Sequence, residues 1–113
     1  MAEQTPLTDK TGAPVTVARG DSEFTVAVEG NPVGLMKFLD HDGQRVFYHT
    51  EVESAFEGRG LATLLIGEGL AATRTDGKRI VAVCPMVSAY VKKHHDYDEV
   101  IDRPTREIMD LLR

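Results

Sequence analysis

The chain has 113 residues, 42% of them hydrophobic and 27% charged, which fits one globular core and excludes a second domain, wholesale disorder or a fibrous repeat. A formal charge of -5 and a pI near 5.3 oppose association with phosphate backbones, so nucleic acid is not an expected partner. The longest apolar runs, such as 61–66, are too short to span a bilayer, and the opening MAEQTPLTDK lacks a signal-peptide pattern; both predict a cytoplasmic protein with no membrane partner.

Residues 1–12 are polar and without periodicity, and predict a flexible arm on a single domain spanning 1–113. From Val15 four short runs rich in Val, Phe, Tyr and Thr follow: VTVAR, EFTVAVE, VGLMKFLD and RVFYHTEV. Gly30-Asn31-Pro32 and Asp40-His41-Asp42-Gly43 separate the last three and suit tight turns, so a β-meander is expected. After Val52, Leu61, Leu64, Leu65 and the set Ala62, Ile66, Leu70 recur at helical spacing to about Thr73. Gly67 and Gly69 weaken that helix, which suggests close packing on the sheet.

Ile80-Val81-Ala82-Val83 reads as a strand covered on both faces, which completes a βαβ unit with parallel strands. Pro85 suits the first turn of a second helix, with Met86, Tyr90 and His94 on one stripe and Val87 and Val91 beside it. A last helix is expected from Thr105 to Leu112, with Ile108, Leu111 and Leu112 inward. The predicted fold class is therefore α/β (α+β): an antiparallel β-meander, then a βαβ crossover and C-terminal helices.

Chemistry concentrates at two places. The loop Val52-Glu53-Ser54-Ala55-Phe56-Glu57-Gly58-Arg59-Gly60-Leu61-Ala62 joins a strand to a helix N-terminus, where unpaired N–H groups and the helix dipole favour an anion such as phosphate. Two glycines for a tight turn explain the same text equally well. Cys84, the single cysteine, excludes an internal disulfide or a multi-cysteine zinc site. At the junction of a buried strand and a Pro-initiated helix it is either a small buried hydrophobe or a reactive thiol favoured by the helix dipole. His49 ends a strand expected to lie parallel to 80–83, so His49 and Cys84 should share the carboxyl rim where ligands bind in open sheets. There His49 is either a hydrogen-bonded polar residue or a general base. His94, His95 and Asp96 hint at a metal, but successive helical positions diverge by about 100° and no third ligand is evident, so no metal site is expected.

The loop resembles the pyrophosphate loop of the GNAT acetyltransferase superfamily, which reads Gln or Arg, two residues, Gly, one residue, then Gly or Ala. Gly60-Leu61-Ala62 fill its second half, and Glu57 stands where Gln or Arg is usual. YHTEV, GRGLATLL and VCPMVSAYVKKHHDY are similar, in order and spacing, to the short single-domain branch that carries Cys-Pro-x-Val-x-x-Tyr; His94-His95-Asp96-Tyr97 replaces that branch's His-Pro-Glu-Tyr.

The resemblance implies a minimal GNAT-like fold with acetyl-CoA as co-substrate and a small amine or a protein Lys as acceptor. It implies cofactor contacts at Val52 for the pantetheine arm and at Gly58, Arg59, Gly60, Leu61 and Ala62, largely through backbone N–H groups. The Arg59 side chain would offset phosphate charge, and Lys92 and Lys93 would either meet the cofactor's outer phosphate or form a solvated helix face. Cys84, His49 and Tyr90 would be catalytic: His49 and Cys84 as a pair, Tyr90 as proton donor to the leaving thiolate. Transfer would go either directly to the amine with His49 as base or through Cys84. Two rivals use the same site, a noncatalytic acyl-CoA binding or sensing module and a Cys-His thioesterase.

Overall fold

The computed structural model describes residues 7–113. One seven-stranded sheet runs in sequence order: β1 (Leu7–Thr8), β2 (Pro14–Arg19), β3 (Glu23–Val28), β4 (Asn31–His41), β5 (Gln44–Val52), β6 (Arg79–Ala82) and β7 (Ile101–Asp102). The first five strands pair antiparallel and the last three parallel. Helix α1 (Leu61–Thr75) makes the β5–β6 crossover, α2 (Pro85–Lys93) follows β6, and α3 (Arg106–Leu111) closes the chain. No helix among the described residues is long and apolar enough to cross a membrane.

All four meander strands form where β-branched, aromatic and other apolar residues concentrate, with strict inward–outward alternation in β3. The turns after β3 and β4 are two-residue turns with positive φ at both centres, Glu29-Gly30 (50° and 83°) and Asp42-Gly43 (48° and 77°), whose twist matches that of the flanking strands. The first lies one residue earlier than its text suggests: Asn31 already pairs with Val28, and Pro32 sits beside a bulge between β3 and β4, where its missing N–H is tolerated.

Two apolar layers flank the sheet. On the α1 side, Phe24, Phe38 and Phe47 cluster with ring centroids 5.3–6.4 Å apart, covered by Leu61, Leu65, Ile66 and Leu70 of α1. A Cβ on Gly69 would run into Met36 Cε, so this glycine lets α1 approach β4. Gly67 faces α2 instead of the sheet, with Tyr90 Oη 3.0 Å from where its Cβ would stand. On the other side α3 covers Val46 and Val81 with Ile108, Thr105 caps the helix by accepting from the Ile108 N–H at 3.2 Å, and His41 Nε2 lies 3.0 Å from Glu107 Oε2.

Four expectations change. Leu7–Gly12, expected as part of the arm, form β1 and a hydrogen-bonded turn; residues 1–6 lie outside the described residues. β7 is added at the parallel edge. Helix α2 buries Val87 and leaves Met86 40% exposed, so its inward stripe is rotated. Leu111 points outward at 45% exposure, because α3 is short enough to seat only Ile108 fully.

Candidate functional site

The site begins where β5 and β6 part. Their parallel pairing runs from Gln44↔Arg79 to Phe47↔Ala82, after which the Phe47 carbonyl accepts from both the Val83 and Cys84 N–H groups, at 3.0 and 2.9 Å. The chain then turns into α2, with Cys84 as N-cap and Pro85 in the first turn, whereas β5 continues to Val52. That leaves the β6-side edge of 48–52 open, the kind of edge to which an extended ligand adds.

A bulge at the same point decides which side chains face inward. Phe38 pairs with Phe47 but Lys37 pairs with His49, so Tyr48 is an inserted residue. Strict alternation would carry His49 to the Phe47 face; the insertion sends Thr50 there instead. Thr50 is buried, and Cys84 Sγ donates to its Oγ1 at 3.3 Å. His49 leaves by the opposite face, half exposed, with Nε2 3.2 Å from Glu51 Oε1. The expected His49–Cys84 pair is thus replaced by Thr50–Cys84 and His49–Glu51. Cys84 itself is 4% exposed.

A cleft of about 500 Å³ opens on the α1 side. Its walls are the end of β5 (Thr50, Glu51, Val52), the loop with the start of α1 (Phe56 to Thr63, without Arg59) and Met86 of α2. Gly58 and Gly60 have φ of +80° and +79°, and Gly60 is the N-cap of α1 with no side-chain cap. The first N–H groups of α1 therefore face the cleft without a capping partner, a fit for an anion. Glu57 also lies on the wall, and its carboxylate opposes that fit.

The Arg59 side chain turns out of the cleft. Its guanidinium lies over the Phe56 ring at 4.9 Å and donates from Nε to Asp9 Oδ2 at 2.8 Å. The expectation that it offsets phosphate charge gives way to that ion pair. A cation does reach the loop from another direction: the Lys10 stem crosses Gly60, its Cε 3.4 Å from where a Gly60 Cβ would stand. Neither Asp9, Lys10 nor Thr50 stands out in the sequence; only the Asp9-to-Thr11 turn text hints at the first.

Tyr90 lines a neighbouring groove between α1 and α2 with Ile66, Ala89 and Lys93, sharing Ala62, Thr63 and Met86 with the cleft. Its ring stacks on His94 with centroids 4.3 Å apart, and burial, then nearby Tyr97 and acidic groups, push its phenol above the usual range. Tyr90 is thus joined to His94 and α1, and the three expected catalytic side chains occupy three separate settings. Lys92 lies on the far side of α2, in a third groove with His95 and Arg103; His95 Nδ1 is 3.0 Å from Asp98 Oδ2.

Residues 23–100 match the family model described as GCN5-related N-acetyl-transferase. The fold is similar to the solution structure of a GCN5-like protein from Staphylococcus aureus: TM-score 0.62, 19% identity, covering 80% of this chain and 91% of that one. It is also similar to a ribosomal-protein-alanine N-acetyltransferase from Brucella melitensis: TM-score 0.51, 21% identity, covering 76% of this chain and 66% of that one. At these identities the two structures speak to the fold. No curated protein matches the sequence significantly.

Proposed function

The chain belongs to the family of GCN5-related N-acetyltransferases, and from that premise we propose that it transfers an acetyl group from acetyl-CoA to a primary amine, a small molecule or a protein Lys. The observation that carries this reading is the cleft where β5 leaves β6, joined to an α1 N-terminus opened by two positive-φ glycines. Bound there, acetyl-CoA would supply an activated acyl group. The amides of Gly58, Gly60, Leu61 and Ala62 would hold its diphosphate, with Lys10 as nearby cation, and the open edge at Val52 would receive its amide arm.

His49 is the base this geometry favours. An ionised carboxylate only accepts, so the hydrogen bond to Glu51 places the proton on Nε2 and leaves Nδ1 free to take the proton of an attacking amine. The amine nitrogen bonds to the acyl carbon, the carbon–sulfur bond breaks, and the sulfur leaves as thiolate. His49 stands on the face opposite Cys84, so amine and thioester would meet through the gap between the strands. A buried Cys84, donating to Thr50, supports direct transfer over a covalent route.

Three measurements test this. Calorimetric titration with acetyl-CoA should show saturable binding, and an amine panel should reveal turnover. His49→Gln should lower kcat about 10²-fold, the usual contribution of a general base, with KM for acetyl-CoA little changed. Intact mass after mixing with acetyl-CoA and an acid quench should show no added acetyl; an adduct lost in Cys84→Ala would establish the covalent route instead. Binding without turnover on any amine would leave the acyl-CoA sensing module.

Glu57 yields a result of opposite sign. Glu57→Gln removes a solvent-exposed negative charge from the wall that faces the diphosphate, and should tighten acetyl-CoA binding by about two- to fivefold, the scale of a surface charge interaction. The gain should fade at high salt; a salt-independent gain would trace to loop conformation.

A further inference from the structure

Outside the family-matched stretch, the turn between β1 and β2 is built onto the glycine loop. Asp9 Oδ1 accepts from the Thr11 N–H at 2.8 Å, the Thr11 hydroxyl at 2.6 Å and the Ala13 N–H at 3.0 Å. Its Oδ2 accepts from Arg59 Nε at 2.8 Å, and Arg59 Nη2 stands 2.7 Å away. The Asp9 side chain is fully buried, and the hydrogen bond from the Thr11 hydroxyl leads the influences that hold its carboxyl down to about 2. The Lys10 N–H donates to the Arg59 carbonyl at 3.0 Å. Arg59 is thereby fixed by side chain, backbone and the Phe56 ring, although it sits between two glycines with wide conformational freedom.

We propose that Asp9 is a positioning residue for the glycine loop: acting through Arg59, it holds the Gly58–Leu61 backbone in the conformation that receives the cofactor's diphosphate, without touching the cofactor. The inference rests on the reading of the cleft as an acyl-CoA site. A loop ordered before binding loses less entropy on binding, and a guanidinium whose Nε and Nη2 converge on one buried carboxylate oxygen, with Nη2 also donating to Thr11 Oγ1 at 3.3 Å, is oriented as a single hydrogen bond would not orient it.

Asp9→Asn is the informative variant. Its amide oxygen still serves Thr11 and Ala13, while its NH₂ now meets the Arg59 donors, so the turn persists and the clasp opens. Two readouts follow on the full chain: the acetyl-CoA dissociation constant, and amide exchange in the ligand-free protein at Lys10 and at Leu64, whose N–H groups donate to the Arg59 and Gly60 carbonyls. Affinity should fall about tenfold, the scale of one charge-assisted hydrogen bond. Exchange at Lys10 and Leu64 should accelerate while that of core amides such as Leu70 and Val81 holds. Unchanged affinity and exchange would overturn the proposal, and so would acceleration throughout the chain. If the native protein does not bind acetyl-CoA, the cleft reading falls with it; local acceleration would then leave only a structural clasp. Should Asp9→Asn fail to fold, Arg59→Lys, which keeps the charge and loses the paired Nε and Nη2 donors, gives the same pair of readouts.

Discussion

Gly60→Val is expected to weaken acetyl-CoA binding by about 10²-fold or more, the loss of two charge-assisted hydrogen bonds, while the protein stays folded. Gly60 holds φ +79° as the N-cap of α1, and a β-branched residue resists that conformation. Space is not the obstacle, since a Cβ would meet only the Lys10 stem at ordinary contact distances. The backbone must therefore swing to negative φ and re-aim the amides of Gly60 and Leu61. Strain of this type costs about 1–3 kcal/mol of stability, so a control is needed that carries the strain elsewhere. Gly77 has φ +74° at the far end of α1, with nothing within 4 Å of a Cβ. Gly77→Val should lose comparable stability and keep full affinity. Calorimetry on both variants decides the matter: equal affinity losses would mean that α1 as a whole had loosened, and native affinity in Gly60→Val would remove the loop from the site.

The parts of this molecule visible in its text are those with a period. The meander, α1, β6 and α2 lie within two residues of where alternation and helical spacing put them, because burial of one face selects those periods. β1 and β7 have two residues each, too few to show any alternation. The site was legible as a place and not as a set of contacts. Two glycines before a helix mark the loop, but a single inserted residue, Tyr48, exchanges His49 for Thr50 beside Cys84, and nothing in YHTEV announces a bulge. Arg59 reads as a phosphate ligand until its partner, fifty positions earlier in the chain, is known. Pairings at that separation are set by topology, which local pattern does not encode.

The largest stability effect should come from Arg45, which clamps the end of α1 remote from the glycine loop. At the first position of the run RVFYHTEV, its side chain is only 4% exposed. Nε and Nη2 donate to the two oxygens of Asp40 at 2.8 and 3.0 Å, Nη1 donates to Asp76 Oδ2 at 3.0 Å, and the guanidinium lies 4.6 Å over the Phe38 ring. Arg19 also donates to Asp76, the C-cap of α1, where an acidic group would otherwise oppose the helix dipole. Arg45→Met keeps much of the apolar stem but removes the two-pronged partner of Asp40 and one of the two guanidinium partners of Asp76, for an expected loss of about 2–4 kcal/mol, at or just below the range for one partner of a buried pair because Asp40 retains some solvent and Lys78 at 3.8 Å, and Asp76 keeps Arg19. The hydrogen bonds from Arg45 are the leading reason that the Asp40 and Asp76 carboxyls lie below their ordinary value. A depressed folded-state value means that the stabilisation is complete above the unfolded carboxylate range near 4 and disappears as pH falls through the lowered values. Denaturant midpoints of native protein and Arg45→Met should therefore differ widely at neutral pH and converge on acidification. A gap that stays constant with pH would assign the contribution of Arg45 to its stacking on Phe38 and not to its charge.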